Sequence, residues 1–373
     1  MGSTAQEMNT PKRILQVFTI LNHGGAEAFI MNHYRKLDRT KVQFDFLVHR
    51  EDRGEYEDDI ERMGGRIFRT CSIRPGHYLK YFRWLNHFFR EHRGEYAAVH
   101  THIQENGGFV LKYAAKYGVP VRIAHSHCAA VPLDIRYPFR KFALQFLKRN
   151  YTTLLACGQE AGTSCFGKMP FHLFYNAIDA QQFRSNEHVR NKVRQEFNIP
   201  ADAPVIGMVA RLNFAKNHAF AIRVFNEFLK VQSNAVLMLV GEGDERDKIE
   251  NQIRDLGIGH HVLLTGLRND IDQLQQAFDL FILTSWYEGL PVSVIEAQAA
   301  GTKCVLADTI DKTVDVTGDI RFLSLNDSLS MWVDTLCNSL PYKKPDNFSK
   351  IAQAGYDVNT NIGKLLTFYH VKA

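Results

Sequence analysis

Two glutamates eight residues apart, Glu288 and Glu296, bracket a Gly289-Leu290-Pro291 run in WYEGLPVSVIEAQAAGT. Gly289 permits a tight turn, and Pro291 has the fixed φ and missing N–H that suit the first position of a helix. Glu288 therefore falls on a strand-to-helix loop, and Glu296 about a turn and a half into the helix. A helix N-terminus offers unpaired N–H groups and a partial positive charge, which makes an anion site. Carboxylates beside such a site must face something other than the anion, and hydroxyl groups fit. The combination asks for a ligand carrying both phosphates and sugar hydroxyls. Arg211 and Lys216, in VARLNFAKNH, place two cations five residues apart on another strand exit, where they can converge on one anion. Gly24 and Gly25 follow the first strand and precede a helical pattern, so backbone amides there can approach a phosphate closely.

Other chemistries are excluded by what the spacing lacks. Gly-x-Gly-x-x-Gly is not completed at Gly241 and Gly243, where Arg246 takes the third place, so a nicotinamide dehydrogenase is disfavoured. Asp270-Ile-Asp272 is formally a metal-binding Asp-x-Asp, but it precedes Gln273 and a helical run, where helix capping and dipole complementarity account for it. Metal-independent chemistry is expected. The six cysteines, at 71, 128, 157, 165, 304 and 337, form no Cys-x-x-Cys pair. They read as free thiols in a reducing compartment, without a structural metal or other cofactor. No uncharged apolar run approaches the ~20 residues that span a bilayer, and no signal-peptide pattern opens the chain, so a cytoplasmic protein is expected. The first dozen residues are polar and patternless, an expected tail with Met8 as the natural start.

The formal net charge of +5 hides an asymmetry: residues 1–176 carry 25 Lys and Arg against 16 Asp and Glu, and the remainder 20 against 24. Different partners for the two halves are implied. The excess lies largely in residues 74–94 and 135–151, where Lys and Arg mix with Phe, Tyr and Trp at helical spacing. Such segments suit an anionic membrane surface, with Trp84, Phe88 and Phe139 among the inserting aromatics, or equally a core-facing helix with a basic solvent side. No nucleic-acid motif accompanies the charge.

The elements that must position these residues alternate short apolar strands with helices, which predicts an α/β fold with parallel sheets. Strands are expected over 13–21, 42–49, 98–103 and 121–127, and again over 204–211, 235–242, 262–267, 280–285 and 303–308. Residues 176–192 are polar and weakly periodic, and read as a linker. Two Rossmann-like domains facing across a cleft are predicted, 8–178 and 179–373, with the last helix packing back on the first. Ala221, Val224, Phe225, Phe228 and Leu229 form one apolar stripe on a helix, which is core.

In these motifs the chain resembles a family 4 retaining glycosyltransferase of the two-domain GT-B fold, similar to bacterial enzymes of exopolysaccharide and capsule assembly. Glu288 and Glu296 match its Glu-x7-Glu pair, set in Glu-Gly-x-Pro and a trailing Ala-x-Ala-x-Gly; Arg211 and Lys216 match its Arg-x4-Lys pair. Gly24 and Gly25 match its first-strand glycine loop, and Asn176-Ala-Ile-Asp179 its domain hinge. The similarity covers nearly the whole chain.

The resemblance implies that Arg211, Lys216, the Gly289-Leu290 amides and the Gly24-Gly25 loop hold the diphosphate of a nucleotide-sugar, with the base near Leu267 and Arg268. It implies ribose hydroxyls on Glu296, the transferred sugar on Glu288 and His125, and an acceptor side that includes His102, Asn106 and His127. The expected activity is transfer of a hexosyl unit from a UDP-sugar to a lipid-linked or growing polysaccharide acceptor at the inner face of the membrane. A nucleotide-sugar epimerase of similar two-domain fold and a non-catalytic sugar-nucleotide-binding protein are the rivals; no epimerase pattern is found.

Overall fold

The structure is a computed structural model that describes residues 10–74, 76–127 and 137–371; Met8, Cys128 and Arg136 lie outside them. The chain divides into two compact units, the first running up to Ala177 and again from Val358, the second spanning Ile178–Asp357. Among the described residues the strands of the first unit are β1 (Lys12–Val17), β2 (Val42–Val48), β3 (Ile67–Arg69), β4 (Tyr96–Thr101), β5 (Val121–Ser126), β6 (Thr153–Ala156) and β7 (His172–Leu173). They pair in parallel in the order β3-β2-β1-β4-β5-β6-β7. The second unit holds β8 (Val205–Val209), β9 (Val236–Val240), β10 (Val262–Gly266), β11 (Leu280–Leu283), β12 (Lys303–Ala307) and β13 (Ile320–Leu323), parallel in the order β10-β9-β8-β11-β12-β13.

This is the α/β architecture of parallel sheets read from the sequence. The strands not foreseen, β3, β6, β7 and β13, are two to four residues long, too short to show a pattern of their own. The stretch read as a linker contains the helix Glu187–Glu196, which Asn186 caps by accepting from the Val189 amide at 3.2 Å. That cap was the available signal, and the charged surface of the helix concealed its period. The helix Val358–Phe368 belongs to the first unit, where Leu365, Leu366 and Tyr369 join the core around Phe44 and Phe46. Next to the two boundaries, Ile178 donates to the Tyr356 carbonyl at 2.9 Å and Ala180 to the Asp357 carboxylate at 3.3 Å.

Strand alternation sorts the first unit's side chains. Successive residues of a strand point to opposite faces. Ile14 and Phe18 pack with Phe29, Phe44 and the C-terminal helix, whereas Leu15 and Val17 pack with Tyr81, Leu85 and Phe109 on the other face. On the first face the same period of two carries buried polar groups: Gln16 on β1, His100 at the end of β4 with His102 just beyond, and His125 on β5. Their neighbour His33, from the helix Gly25–Lys36, is fully buried and donates through Nδ1 to the Phe29 carbonyl, 2.8 Å away.

The basic aromatic segments form the helices Tyr78–Glu91 and Tyr137–Asn150. Phe88 is buried against Phe68 and Phe89, so it is not free to insert into a membrane, and the half-buried Trp84 stacks on it at 5.0 Å. Leu79, Phe139 and Phe142 are the exposed apolar side chains, and Arg140 is taken up by the buried Glu105 at 3.2 Å. Among the described residues no helix is long and apolar enough to cross a membrane. Among the described residues, Cys71, Cys304 and Cys337 are free thiols.

Burial holds His33, His49 and His218 neutral, each lowered to about 4. The unfolded chain takes up these protons near pH 6.5 and the folded one only near 4, so stability falls as pH drops through that window. Between pH 7 and 5 each of the three costs about 2 kcal/mol on that basis. Glu296, raised to about 7 by burial and by the Asp272 charge, works the other way and returns about 2 kcal/mol. The histidines win by number. Urea midpoints should therefore fall by a few kcal/mol equivalents from pH 7 to pH 5; a flat or rising profile would contradict the burial of these rings.

Candidate functional site

In both sheets the strand order reverses next to the first strand of the unit, between β1 and β4 and between β8 and β11. Open parallel sheets bind ligands beyond the carboxyl ends of the strands at such switch points. The residues singled out by spacing or by the resemblance fall there: Gly24 and Gly25 after β1, His102 and Asn106 after β4, Arg211 and Lys216 after β8, and Glu288 after β11.

In the second unit, Asn213 caps the short turn Phe214–Lys216 by accepting from the Lys216 amide at 3.3 Å. Asn217 then takes a left-handed conformation (φ 51°), which Asn tolerates better than most residues, and the helix His218–Phe228 follows. This corner is fastened to the β11 exit at two points. The Trp286 amide donates to the Ala215 carbonyl at 2.8 Å, and the Thr284 hydroxyl to the Asn217 carbonyl at 2.9 Å. Across it, the Lys216 ammonium pairs with Glu288 Oε1, which also accepts from the Ser285 hydroxyl at 2.6 Å. Both donors reach the same oxygen, so the Oε2 side of the carboxylate accepts no hydrogen bond among the described residues. Arg211 is exposed and has no ion-pair partner among them. The two cations are thus close in sequence and unlike in state: one stored against a carboxylate, one open to solvent.

Pro291 is the N-cap of the helix Val292–Ala299 rather than its first residue, and no side chain caps the amides that follow. Gly289 and Leu290 precede it on the loop. Glu296 lies within the helix, partly open to solvent, with its carboxyl raised to about 7 by the packing around it and then by Asp272. Asp270 occupies the N-cap position of the helix Ile271–Ala277, yet its carboxylate makes no cap; it accepts from the Arg268 guanidinium at 2.8 and 2.7 Å. Arg268 also reaches Glu196 at 3.0 Å, while Leu267 beside it is 56% exposed. Capping by Asp270, the expected reason for the Asp-x-Asp pair, is therefore replaced by pairing with Arg268. Gly241 and Gly243 serve packing. A Cβ on either would meet the Ala210 or Leu212 carbonyl at 2.2 or 2.1 Å, so they let the β9 exit run against the β8 exit.

In the first unit, Gly24 is the N-cap of the helix Gly25–Lys36, and a Cβ there would meet the Glu27 carboxylate at 2.4 Å. Asn106 closes a short turn, Gln104–Asn106, ahead of the helix Gly107–Lys116. The histidines come together on one face. His102 stacks on Phe18 at 4.3 Å and bonds through Nδ1 to His127 Nε2 at 2.9 Å, and His127 Nδ1 meets the Asn176 side chain at 3.0 Å. On its other nitrogen His102 meets Gln16 Oε1 at 3.1 Å; Gln16 donates to the Tyr369 hydroxyl at 2.9 Å, which bonds His100 Nδ1 at 2.8 Å. His125 lies parallel to His100 with ring centres 5.4 Å apart, edge-on to Phe29. Burial, then the neighbouring imidazoles, holds His100, His102 and His125 well below the usual histidine range, and burial lowers His127 to about 4. Sequence reasoning had missed His100, Gln16 and Tyr369. The two His-x-His pairs at strand spacing were a usable signal for the first, whereas Tyr369 lies 269 residues from its partner and had none.

Comparison with known proteins follows the same division. Residues 24–163 match the glycosyl transferase 4-like domain, and residues 189–319 match the glycosyl transferases group 1. The chain is 36% identical over 97% of its length, and 97% of the relative's, to a Bacillus subtilis protein named as the glycosyltransferase EpsF. It is 23% identical, over 80% of this chain and 79% of the other, to the Escherichia coli UDP-Gal:alpha-D-GlcNAc-diphosphoundecaprenol alpha-1,3-galactosyltransferase. Among solved structures, HepE of Anabaena in complex with UDP superposes with a TM-score of 0.73 at 18% identity, covering 96% of this chain and 97% of that one, a likeness of fold. The chain belongs to the glycosyltransferases of the GT-B fold, joining a glycosyl transferase 4-like domain to a group 1 domain.

Proposed function

We propose that this glycosyltransferase moves a hexosyl unit, with retention, from a UDP-sugar to a lipid-linked or polysaccharide acceptor in cell-surface polysaccharide assembly. The observation that carries this reading is the Lys216–Glu288 pair at the second sheet's switch point, with Arg211 on the same β8 exit and without an ion-pair partner among the described residues. A diphosphate would draw Lys216 off the carboxylate and add Arg211, so both cations meet the charge that develops on the departing nucleoside diphosphate. Glu288, released, accepts from hydroxyls of the transferred sugar. Glu296 accepts from the ribose, the Gly289-Leu290 amides meet phosphate oxygens, and Leu267 lies by the base. Two side-chain cations supply the stabilisation, so this transfer needs no divalent ion. In the first unit His125 is assigned to the transferred sugar, and His102, Asn106 and His127 to the acceptor. Support for the donor comes from the UDP bound in HepE, and for the acceptor from the diphosphoundecaprenol-linked substrate in the E. coli relative's name.

Peripheral contact with an anionic leaflet is part of the proposal. The N-terminal ends of the helices Tyr78–Glu91 and Tyr137–Asn150 meet where Tyr78 and Phe139 rings lie 5.9 Å apart. Leu79, Phe139 and Phe142 are exposed there, with Lys80, Arg83 and Lys141 on the same helices.

Lys216→Ala and Arg211→Ala should each lower turnover by about 10²–10³-fold while keeping the fold, the usual cost of removing one preorganised charge-stabilising donor. Turnover within twofold of the parent for both would sink the diphosphate assignment. Titration calorimetry with UDP alone should show Glu296→Ala losing affinity and Glu288→Ala retaining it. For the membrane contact, the parent should co-sediment with liposomes containing anionic lipid at low salt and be released at high salt, as the screening length shortens from about 10 Å to about 3 Å. A Leu79→Ser, Phe142→Ser, Lys80→Gln, Arg83→Gln variant should stay in the supernatant; if the parent does so too, the acceptor is a soluble one.

A further inference from the structure

The histidine face of the first unit holds more imidazole nitrogens than it has partners for. His100, His102 and His125 each offer a ring nitrogen, and these three atoms lie within 4.8 Å of one another. Their side chains are 0%, 8% and 1% exposed. His100 Nε2 and both nitrogens of His125 have no hydrogen-bond partner of normal geometry, although the Phe174 carbonyl lies near enough to His125 to favour a proton on that ring. A buried polar atom left unpaired costs on the order of 1–3 kcal/mol, and one ion would relieve His100 Nε2 and one nitrogen of His125 together.

We propose that His100, His102 and His125 form a site for one divalent transition-metal ion of the zinc class. The donor set selects the ion: imidazole nitrogens suit zinc, cobalt, nickel and copper, and the three ligands include no carboxylate that would favour magnesium or calcium. The surrounding bonds have the pattern that holds metal-bound histidines in place, in which the ring nitrogen not facing the ion meets an oxygen. Two of the three have such a bond: His100 Nδ1 meets the Tyr369 hydroxyl at 2.8 Å, and His102 Nε2 meets Gln16 Oε1 at 3.1 Å. The remaining nitrogens, His100 Nε2, His102 Nδ1 and one of His125, are the three that would bind. His102 Nδ1 exchanges its bond from His127 for the ion. Three protein ligands with a fourth position left over is the arrangement of zinc sites that admit water or substrate. Loaded, the site takes His125 from the sugar contact and His102 from the acceptor role proposed above, so metal binding and those contacts are mutually exclusive, while the donor groups of the second unit are untouched.

The test uses the full chain, stripped with a chelator and titrated with cobalt(II). One cobalt per chain with the intense visible bands of tetrahedral coordination is expected, displaced by one equivalent of zinc. His100→Gln should abolish the bands while keeping the near-ultraviolet dichroism of the folded parent and its thermal shift with UDP. Tyr369→Phe, which keeps the packing and removes only the supporting hydroxyl, should weaken cobalt binding by about 10–100-fold. If His100→Gln fails to fold, the Tyr369→Phe affinity decides alone. The proposal is overturned if the parent shows no tetrahedral bands, if His100→Gln binds cobalt with the parent's affinity and spectrum, or if Tyr369→Phe is indistinguishable from the parent. Those last two results would mean adventitious binding at surface histidines.

Discussion

A parallel sheet covered on both faces gives polar side chains two places to be useful, and the arrangement of this protein follows from that limit. The middle of such a strand is dry, so a charge there must be paired and a donor must be bonded. The ends are where backbone turns outward and where helix amides begin. Arg211, Lys216 and Glu288 stand at strand ends on both sides of the β8–β11 reversal. The histidines of the first unit are the other case: they continue the inward-facing positions of β4 and β5 to the edge of the core, and satisfy one another, Gln16, Asn176 and Tyr369 as far as geometry allows.

The two sites differ in what their electrostatics prepare. In the second unit a cation and a carboxylate neutralise each other within two loops stitched by the Trp286–Ala215 and Thr284–Asn217 bonds. Half-buried pairs of this kind contribute modestly to stability, and the carboxylate that holds Lys216 also fixes where its ammonium waits. Glu296 is the opposite: burial and Asp272 keep its carboxyl protonated up to about 7, so near neutrality it can donate as well as accept. At the histidine cluster of the first unit burial keeps the imidazoles neutral instead.

What the sequence made legible depends on how local each signal was. Long central strands such as β2 and β9 announce themselves by composition, and the Gly-Leu-Pro turn by the conformations its residues permit. Glu288 and Lys216 were each readable from their own loops, whereas their pairing was not, since it depends on β11 lying beside β8. Asp270 misled for the same reason: its position fits a helix cap, but Arg268, two residues earlier, takes the carboxylate. Phe88 looked like a membrane anchor because helical spacing does not say which side of an amphipathic helix meets the core; its 4% exposure does. His100-Thr-His102 and His125-Ser-His127 repeat one spacing on neighbouring strands, which makes the pairs legible but not their convergence on one face.

The first unit is discontinuous: the chain leaves it at Ala177 and supplies its last helix only after Asp357. A ribosome making this protein therefore delivers the second unit whole while the first still lacks Leu365, Leu366 and Tyr369 from its core. The face that carries Gln16 and His100 must wait, with β1 and β4 already made, for a hydroxyl encoded 353 residues after Gln16. The order of completion is thus the reverse of the order of synthesis. A chain cut short by premature termination within the helix Val358–Phe368 would carry an intact second unit and a first unit whose polar cluster had never closed.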